Sequence, residues 1–132
     1  MGSYPAANTG WAQEIDLDIQ MASAVCPACS ILLVEATTNS YSNLNAAVAM
    51  ATSFTGVKAI SNSYGGGDVS DSSYSAFKNA AARGIAVTAS TGDSGYGASF
   101  PATSGGVVAV GGTPLYLDGA GNRSSETSWS GA

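Results

Sequence analysis

Segments with helical periodicity alternate with short apolar runs along most of this chain. Three segments repeat apolar residues at the three- and four-residue spacing of an amphipathic helix: 11–25, 42–54 and 72–83. Four short runs are rich in aliphatic residues, which is typical of buried strands: Ile31–Val34, Val57–Ser63, Ile85–Ser90 and Val107–Val110. Pro27 disfavours helical geometry for the residue before it, and Gly56 and Gly84 stand where C-terminal caps of the later helices are expected.

This alternation predicts an α/β fold with a doubly wound parallel sheet and helices on both of its faces. Short connections favour right-handed crossovers, which make successive strands parallel. A turn at 119–122 follows Leu115–Leu117 and resembles the turn of a hairpin. We interpret residues 1–3 as an expression leader and residues 4–132 as one partial domain, because the chain stops without a closing strand or helix.

Composition narrows the classes of protein that the chain can represent. Its 132 residues include nine acidic and four basic side chains and no histidine, for a net charge of −5. The basic residues are dispersed, so we expect no nucleic-acid partner. No apolar window approaches the roughly 18 residues of a membrane span, so we expect no membrane partner. Uncharged polar residues and glycine dominate the remainder, which is more common in secreted enzymes than in cytosolic ones.

Cys26 and Cys29 form a Cys-x-x-Cys sequence directly after the first predicted helix. The spacing is shared by small disulfide loops, zinc half-sites and thioredoxin-type redox sites. Zinc is excluded because it needs about four ligands, and the chain has no other cysteine and no histidine. A small structural disulfide is favoured over two free thiols, and redox catalysis is remote because a redox pair would open a helix rather than follow one.

Glycine-rich loops follow two of the predicted strands, at Ser63–Gly67 and Thr91–Gly95. Ligands of doubly wound sheets bind outside the carboxyl ends of strands, so these loops are candidate binding segments. Neither loop completes a Gly-x-Gly-x-x-Gly or a Gly-Lys-Ser/Thr sequence, so phosphate binding has no support.

Glu14 and Asp18 are four residues apart on the first predicted helix, which places both carboxyl groups on one face. In a chain without histidine, a serine nucleophile would need a carboxylate, a lysine or a terminal amine as its base. Like charges at this spacing are mildly destabilising when both ionise, so such a pair either lies in water or shares a proton. The spacing alone favours a solvated acidic face.

Five short segments stand out in chain order: Glu14–Gln20, Ser63–Gly66, Ser90–Gly95, Phe100–Ser104 and Val108–Thr113. Together they resemble the sedolisins, which are serine-carboxyl peptidases with a subtilisin-like fold. Each is short, but their order and spacing extend over nearly the whole chain. The resemblance implies a truncated subtilisin-like domain of a secreted, extracellular endopeptidase that acts on polypeptides.

The resemblance also implies roles for particular residues. Glu14 would be the general base, Asp18 the group that orients it, and Asp93 the oxyanion-hole donor. Extended substrate would pair with the first glycine-rich loop, and the second would line the pocket for the side chain preceding the scissile bond. The residues implied to contact substrate are Ser63, Tyr64, Gly65 and Gly66 from the first segment, and Ala89, Ser90, Thr91 and Gly92 from the second.

These roles imply that the enzyme works in acid. A glutamate carboxylate has an ordinary pKa of about 4.3, so it is a poor base at neutral pH and a more effective one in acidic solution. An aspartic acid offers a hydrogen-bond donor only when it is protonated, so Asp93 could stabilise an oxyanion only below its pKa.

The chain departs from the sedolisin pattern in one respect. Sedolisins carry their nucleophile in a Gly-Thr-Ser segment beyond the last motif matched here, with a calcium site later still, and no Gly-Thr-Ser occurs in these 132 residues. We therefore expect the chain alone to be inactive and to hold no metal or cofactor. Exposed strand edges would favour self-association or pairing with the missing fragment. The alternative is a catalytically silent α/β binding or scaffold domain of the same fold.

Overall fold

The computed structural model of the protein describes residues 4–67 and 75–130. In chain order its helices and strands are α1 (Thr9–Val25), α2 (Tyr41–Ser53), β1 (Ala59–Asn62), α3 (Ser75–Ala82), β2 (Ala86–Ser90), β3 (Val108–Val110), β4 (Leu115–Leu117) and β5 (Arg123–Glu126). The interpretation of residues 1–3 and the start of the third predicted helix, at 72–74, lie outside the described residues.

A parallel sheet with the strand order β1-β2-β3 forms the centre of the fold. Ile60 lies opposite Val87 in the first pair of strands, and Ala89 lies opposite Ala109 in the second. The predicted α/β class and the parallel pairing of these three runs are therefore confirmed. Parallel neighbours require a crossover connection, and α3 lies between β1 and β2 in the sequence.

The hydrophobic core lies between the sheet and the helices α2 and α3. Phe77 of α3 and Phe100 are almost completely buried, and their rings meet edge to face with centroids 5.6 Å apart. Residues alternate along β1, so that Ile60 is buried against this core while Ser61 is exposed. The two helices thus cover one face of the sheet.

Local sequence sets the ends of the helices. The side chain of Asn8 accepts a hydrogen bond from the backbone N–H of Trp11 at 3.1 Å and caps α1, and Ser40 caps α2 in the same way. Gly56 and Gly84 have φ values of +91° and +75°, in the left-handed region that glycine adopts without a steric penalty. They follow α2 and α3 at the positions where the sequence predicts the helices to end.

The strand predicted at Ile31–Val34 is wrong. This segment pairs with no strand among the described residues, and Ile31, Leu32 and Leu33 are 45%, 47% and 46% exposed. Only Val34 packs against the core, and it is partly buried. A run of aliphatic residues indicates a preference for burial, but a strand also needs a neighbour for its backbone hydrogen bonds. The described part of the chain offers this segment no such neighbour.

The structure contains a disulfide between Cys26 and Cys29, the pairing that the sequence favours. It follows the last turn of α1 directly, and the backbone N–H of Cys29 donates to the carbonyl of Cys26 at 3.0 Å within the same turn. The covalent link therefore fixes the point at which the chain leaves the helix.

The hairpin predicted near the end of the chain is also confirmed, since β4 and β5 pair in antiparallel fashion. Asp118 organises its turn, because its Oδ1 accepts hydrogen bonds from the backbone N–H groups of Ala120 and Asn122, each at 2.9 Å. These bonds, and first of all the one from the Asn122 backbone, hold the pKa of Asp118 below its usual value. Gly121, with a φ of +83°, completes the turn.

An apolar strip runs along the outside of α1. It consists of Leu17, Met21 and Val25, which recur every four residues and are 54%, 56% and 81% exposed. None of the described helices combines the length and apolarity needed to cross a membrane. Exposed apolar surface of this kind is unfavourable in water and favours association with another protein surface.

We expect the chain to self-associate through this apolar strip. Replacing Leu17 and Met21 together by Lys should weaken the association, because charged side chains would have to be desolvated in the interface. Sedimentation over a range of concentrations measures the effect. Met50→Lys is the matched control, because Met50 is equally exposed but lies on α2. A chain that stays monomeric at high concentration would contradict this expectation.

We expect Phe77→Ala to lower the free energy of unfolding by about 3–5 kcal/mol, because it removes a fully buried ring and leaves a cavity beside Phe100. Chemical denaturation followed by circular dichroism measures the loss. Phe54→Ala is the control, since Phe54 is 46% exposed, and it should change the stability by less than about 1 kcal/mol. Equal losses for the two variants would show that the core lies elsewhere.

Candidate active site

The candidate site lies at the carboxyl ends of β1 and β2, where parallel strands deliver their following loops to one edge of the sheet. Ser63 follows β1 directly, and Thr91 follows β2. Helix α1 reaches the same edge, because the Ser63 hydroxyl donates a hydrogen bond to Oδ1 of Asp18 at 2.5 Å. Residues that are 45 positions apart in the sequence therefore meet at this edge.

Glu14 and Asp18 are both half-buried on α1, whereas Asp16 between them is exposed. The pKa of Glu14 is raised above its ordinary value. Partial burial is the largest cause, because it disfavours the charged carboxylate, and the negative charges of Asp18 and then Asp93 add to it. The charges of both aspartates therefore act on Glu14.

Asp93 is exposed in the loop that follows β2. Gly92 before it has a φ of +111°, and a Cβ at this position would lie 3.1 Å from Oγ of Ser99. The start of the loop is held by backbone hydrogen bonds from Thr91 to the carbonyl of Val110, at 3.0 Å, and from Ser99 to the carbonyl of Thr91, at 2.9 Å. Gly92 therefore allows the chain to turn immediately after a fixed point and to present Asp93.

The loop after β1 is fixed through Gly66. Its N–H and carbonyl both pair with the backbone of Phe100, at 3.0 and 3.1 Å. A Cβ at Gly66 would overlap the hydroxyl of Tyr41, which itself donates to the carbonyl of Gly67 at 2.9 Å. Within the described residues the peptide groups of Gly65 have no such partner. Of the two glycines implied to pair with substrate, Gly66 is bonded within the chain and Gly65 is left open.

Tyr64 links the loop to the sheet. Its hydroxyl donates to Oδ1 of Asn62 at 3.0 Å, and Nδ2 of the buried Asn62 donates to the carbonyl of Thr88 in β2 at 2.9 Å. Burial raises the pKa of the Tyr64 hydroxyl, so the side chain stays neutral and can donate over the whole physiological pH range.

Ala89, Ser90, Thr91 and Gly92 differ in accessibility at the end of β2. Ala89 is buried within the strand, where it packs in the interior, whereas the three following residues are half-buried at the sheet edge. Ser90, Thr91 and Gly92 therefore present surface to a ligand, whereas Ala89 does not.

Two shallow depressions border this edge. One, of about 310 Å³, is lined by Asn8, Gly10, Trp11, Glu14 and Ser63. The other, of about 340 Å³, borders Thr91 and is lined by the residues Gly95, Tyr96, Gly97, Ala98, Gly111, Gly112, Ser128 and Trp129. One depression thus contains the Glu14 carboxyl group, and the other is bounded largely by glycines and aromatic rings.

Sequence reasoning missed Trp11 and Trp129 as lining residues. Trp129 donates its backbone N–H to the carbonyl of Gly112 at 3.0 Å, and a Cβ at Gly112 would lie 3.1 Å from the indole ring. The paired glycines at 111–112 signal a close approach, but nothing in the sequence identifies the side chain that approaches.

The described residues contain no group of three or more cysteine, aspartate or glutamate side chains arranged to hold a metal ion. What the arrangement offers chemically is a half-buried carboxyl group with a raised pKa, a second carboxylate one helical turn away, and a hydroxyl bonded to that second group. Such a set can take up and release a proton.

Comparison with other proteins gives matches among solved structures alone: no family model and no curated protein matches the sequence. One match is a Pseudomonas sedolisin, a serine-carboxyl proteinase complexed with two molecules of pseudo-iodotyrostatin. It is 31% identical to this chain over 73% of its residues, with a TM-score of 0.64. Sphericase and the S41 psychrophilic protease are 24% and 19% identical over 70% of the chain, with TM-scores of 0.55 and 0.56.

This chain spans about a third of the length of each of these proteins, 32% in every case. At their level of identity, sphericase and the S41 protease show the fold alone. The match to the sedolisin has a higher identity and covers most of this chain. The resemblance predicted from the sequence motifs is therefore confirmed: the chain has the subtilisin-like α/β fold of sedolisin and related serine proteases, over about a third of their length.

Proposed function

We propose that this chain forms part of the catalytic domain of an acid-acting serine-carboxyl endopeptidase. The observation that carries the proposal is the grouping of Glu14, Asp18 and Asp93, in which partial burial and then the charges of both aspartates raise the pKa of the glutamate. Ionisable groups perturbed by a specific charge partner in a depression are concentrated at functional sites. The structural likeness to sedolisin supports the same conclusion.

In this proposal Glu14 is the general base. Its raised pKa makes the carboxylate a stronger base than an ordinary glutamate, and proton transfer is most efficient when the pKa lies near the working pH. Asp18 orients it from one turn further along α1. One oxygen of Asp18 accepts the hydrogen bond from Ser63, and its second oxygen, unpaired among the described residues, is left for a proton shared with Glu14.

Asp93 is the proposed oxyanion-hole donor. Its carboxyl group can donate only in the protonated form, so the proposal predicts that activity falls as Asp93 ionises. The exposed position of Asp93 beyond Gly92 leaves it accessible to a substrate carbonyl at the sheet edge. The proposal therefore needs an ionised base and a protonated donor at the same time.

A polypeptide substrate would lie along the loop after β1. The peptide groups of Gly65 are open to pairing with an extended chain, and the depression beside Thr91 would take the side chain that precedes the scissile bond. The attacking serine would come from a Gly-Thr-Ser segment outside these 132 residues, as the sedolisin resemblance implies. No metal or cofactor is assigned to this part of the domain.

We also propose that the parent protein is secreted. A disulfide between Cys26 and Cys29 supports this location, because disulfides persist in oxidising compartments and are rare in the cytosol.

The electrostatic part of the proposal can be tested on the chain itself by carboxyl-carbon NMR titration. The pKa of Glu14 should lie above the ordinary value of about 4.3. Asp18→Asn and Asp93→Asn should each lower it, because each removes a negative charge that opposes ionisation. Asp16→Asn is the matched control on the exposed face of the same helix and should leave it unchanged. If Glu14 has the same pKa in the unchanged chain and in all three variants, the aspartates do not act on it and the electrostatic part of the proposal is wrong.

The catalytic part requires a polypeptide extended to include the nucleophilic serine. There, Glu14→Gln should lower kcat/KM by about 10²–10⁴, as expected for loss of a general base, while Asp16→Asn should retain activity. Asp93→Asn should retain measurable activity and extend it toward neutral pH, because an amide donates at every pH. Profiles of kcat/KM between about pH 3 and 7 measure both effects.

The outcomes of that experiment separate the two functions considered for this fold. An alkaline limb that stays in place in Asp93→Asn would exclude Asp93 as the titrating donor. The absence of hydrolysis at every pH would favour the catalytically silent scaffold. The 132-residue chain alone should be inactive, and acid-dependent cleavage that Glu14→Gln abolishes would show that one of its own serines attacks.

A further inference from the structure

We propose that Ser63 is a positioning residue whose side-chain hydroxyl holds Asp18 beside Glu14. The inference rests on the proposed function, in which the two carboxyl groups act as a pair, and it adds a role for the side chain of a residue otherwise implied only to pair with substrate.

The contact itself is short and partly buried. Oγ of Ser63 lies 2.5 Å from Oδ1 of Asp18, within the range of charge-assisted bonds from a hydroxyl to a carboxylate. Water competes less for a partly buried bond than for an exposed one, so the hydroxyl restricts the orientation of the carboxyl group. Glu14 and Ser63 also line the same depression.

The two partners are not equally fixed. Ser63 follows the buried Asn62, which is bonded to β2, and stands three residues before Gly66, which is bonded to Phe100 through both peptide groups. Helix α1, in contrast, has no fully buried residue. Among the described residues, the bond to Asp18 is the one hydrogen bond that joins this helix to the sheet and its loops. Ser63 is therefore the anchored donor, and Asp18 is the group that it places.

The placement has an electrostatic consequence. The ionisable groups that act on Glu14 are Asp18 on the same helix and Asp93 in the loop after β2. A hydroxyl that donates to the carboxyl group of Asp18 fixes where its oxygens, and hence its charge, lie. Without this donor, the Asp18 side chain is free to turn toward water, and its effect on Glu14 decreases. Ser63, which begins the proposed substrate-pairing loop, thereby also influences the pKa of Glu14, the proposed base.

A double-mutant titration of the chain itself tests this role. The pKa of Glu14 is measured by carboxyl-carbon NMR with and without Asp18→Asn, first with Ser63 present and then in Ser63→Ala. We expect Asp18→Asn to lower the Glu14 pKa less in the Ser63→Ala background, because the charge is no longer held in place. Ser63→Thr keeps the hydroxyl and should restore the larger effect.

Ser61→Ala is the matched control, since Ser61 lies on the exposed face of β1 two residues earlier. Ser61→Ala should leave the coupling, that is, the effect of Asp18→Asn on the pKa of Glu14, unchanged. Circular dichroism establishes that each variant is folded. If Ser63→Ala does not fold, Ser63→Cys replaces it, because a thiol of similar shape is a weaker donor and should reduce the coupling in the same direction.

Equal effects of Asp18→Asn with Ser63 and with Ala or Cys at that position would overturn the proposal, as would a failure of Ser63→Thr to restore the coupling. The measurement needs no catalysis. An inactive extended polypeptide would therefore overturn the proposed function and leave the role of Ser63 in holding Asp18 intact, whereas unchanged coupling would remove that role alone.

Discussion

Phe100 connects the core of this protein to its candidate site, and both parts depend on it. Its ring is buried between Phe77 and Tyr41, with edge-to-face contacts at centroid distances of 5.6 and 4.9 Å. Its backbone meanwhile pairs with Gly66 and holds the loop that leaves β1. Hydrophobic burial fixes the ring, and the ring fixes the peptide group beside it. The same force that stabilises the core therefore also sets the position of a surface loop.

The acidic side chains of the candidate site repel one another when they are ionised. Glu14 and Asp18 are one helical turn apart, and Asp93 adds a third negative charge from another segment. Like charges at this spacing destabilise a helix by about 0.2–0.5 kcal/mol when both are ionised. Helix α1 has no fully buried residue that would offset this cost. Among the described residues, the one hydrogen bond that joins the helix to the sheet and its loops is accepted by Asp18. Acidic groups whose charges oppose one another's ionisation are concentrated at functional sites.

Glycine has a distinct purpose at each of the close contacts around the site. Gly66 leaves room for the hydroxyl of Tyr41, Gly92 turns the chain beside Ser99, and Gly112 accepts the indole ring of Trp129. A Cβ at any of these positions would lie within 3.1 Å of another side chain. The glycine-rich segments that resemble sedolisins are thus places where the backbone has to approach another part of the chain closely.

The sequence by itself determined the elements whose causes are local. Periodicity, caps and turn residues predicted three helices, three of the strands and the final hairpin within a few residues, because each depends on neighbours in the chain. It also placed Glu14 and Asp18 on one helix, and the motif resemblance indicated the subtilisin-like class. Tertiary structure decided what depends on distant partners. Ile31–Val34 looked like a buried strand but lacks a neighbour for its backbone, and the bond between Ser63 and Asp18 joins positions 45 residues apart. No local pattern encodes such contacts, because they form only when burial of the core brings separate segments together.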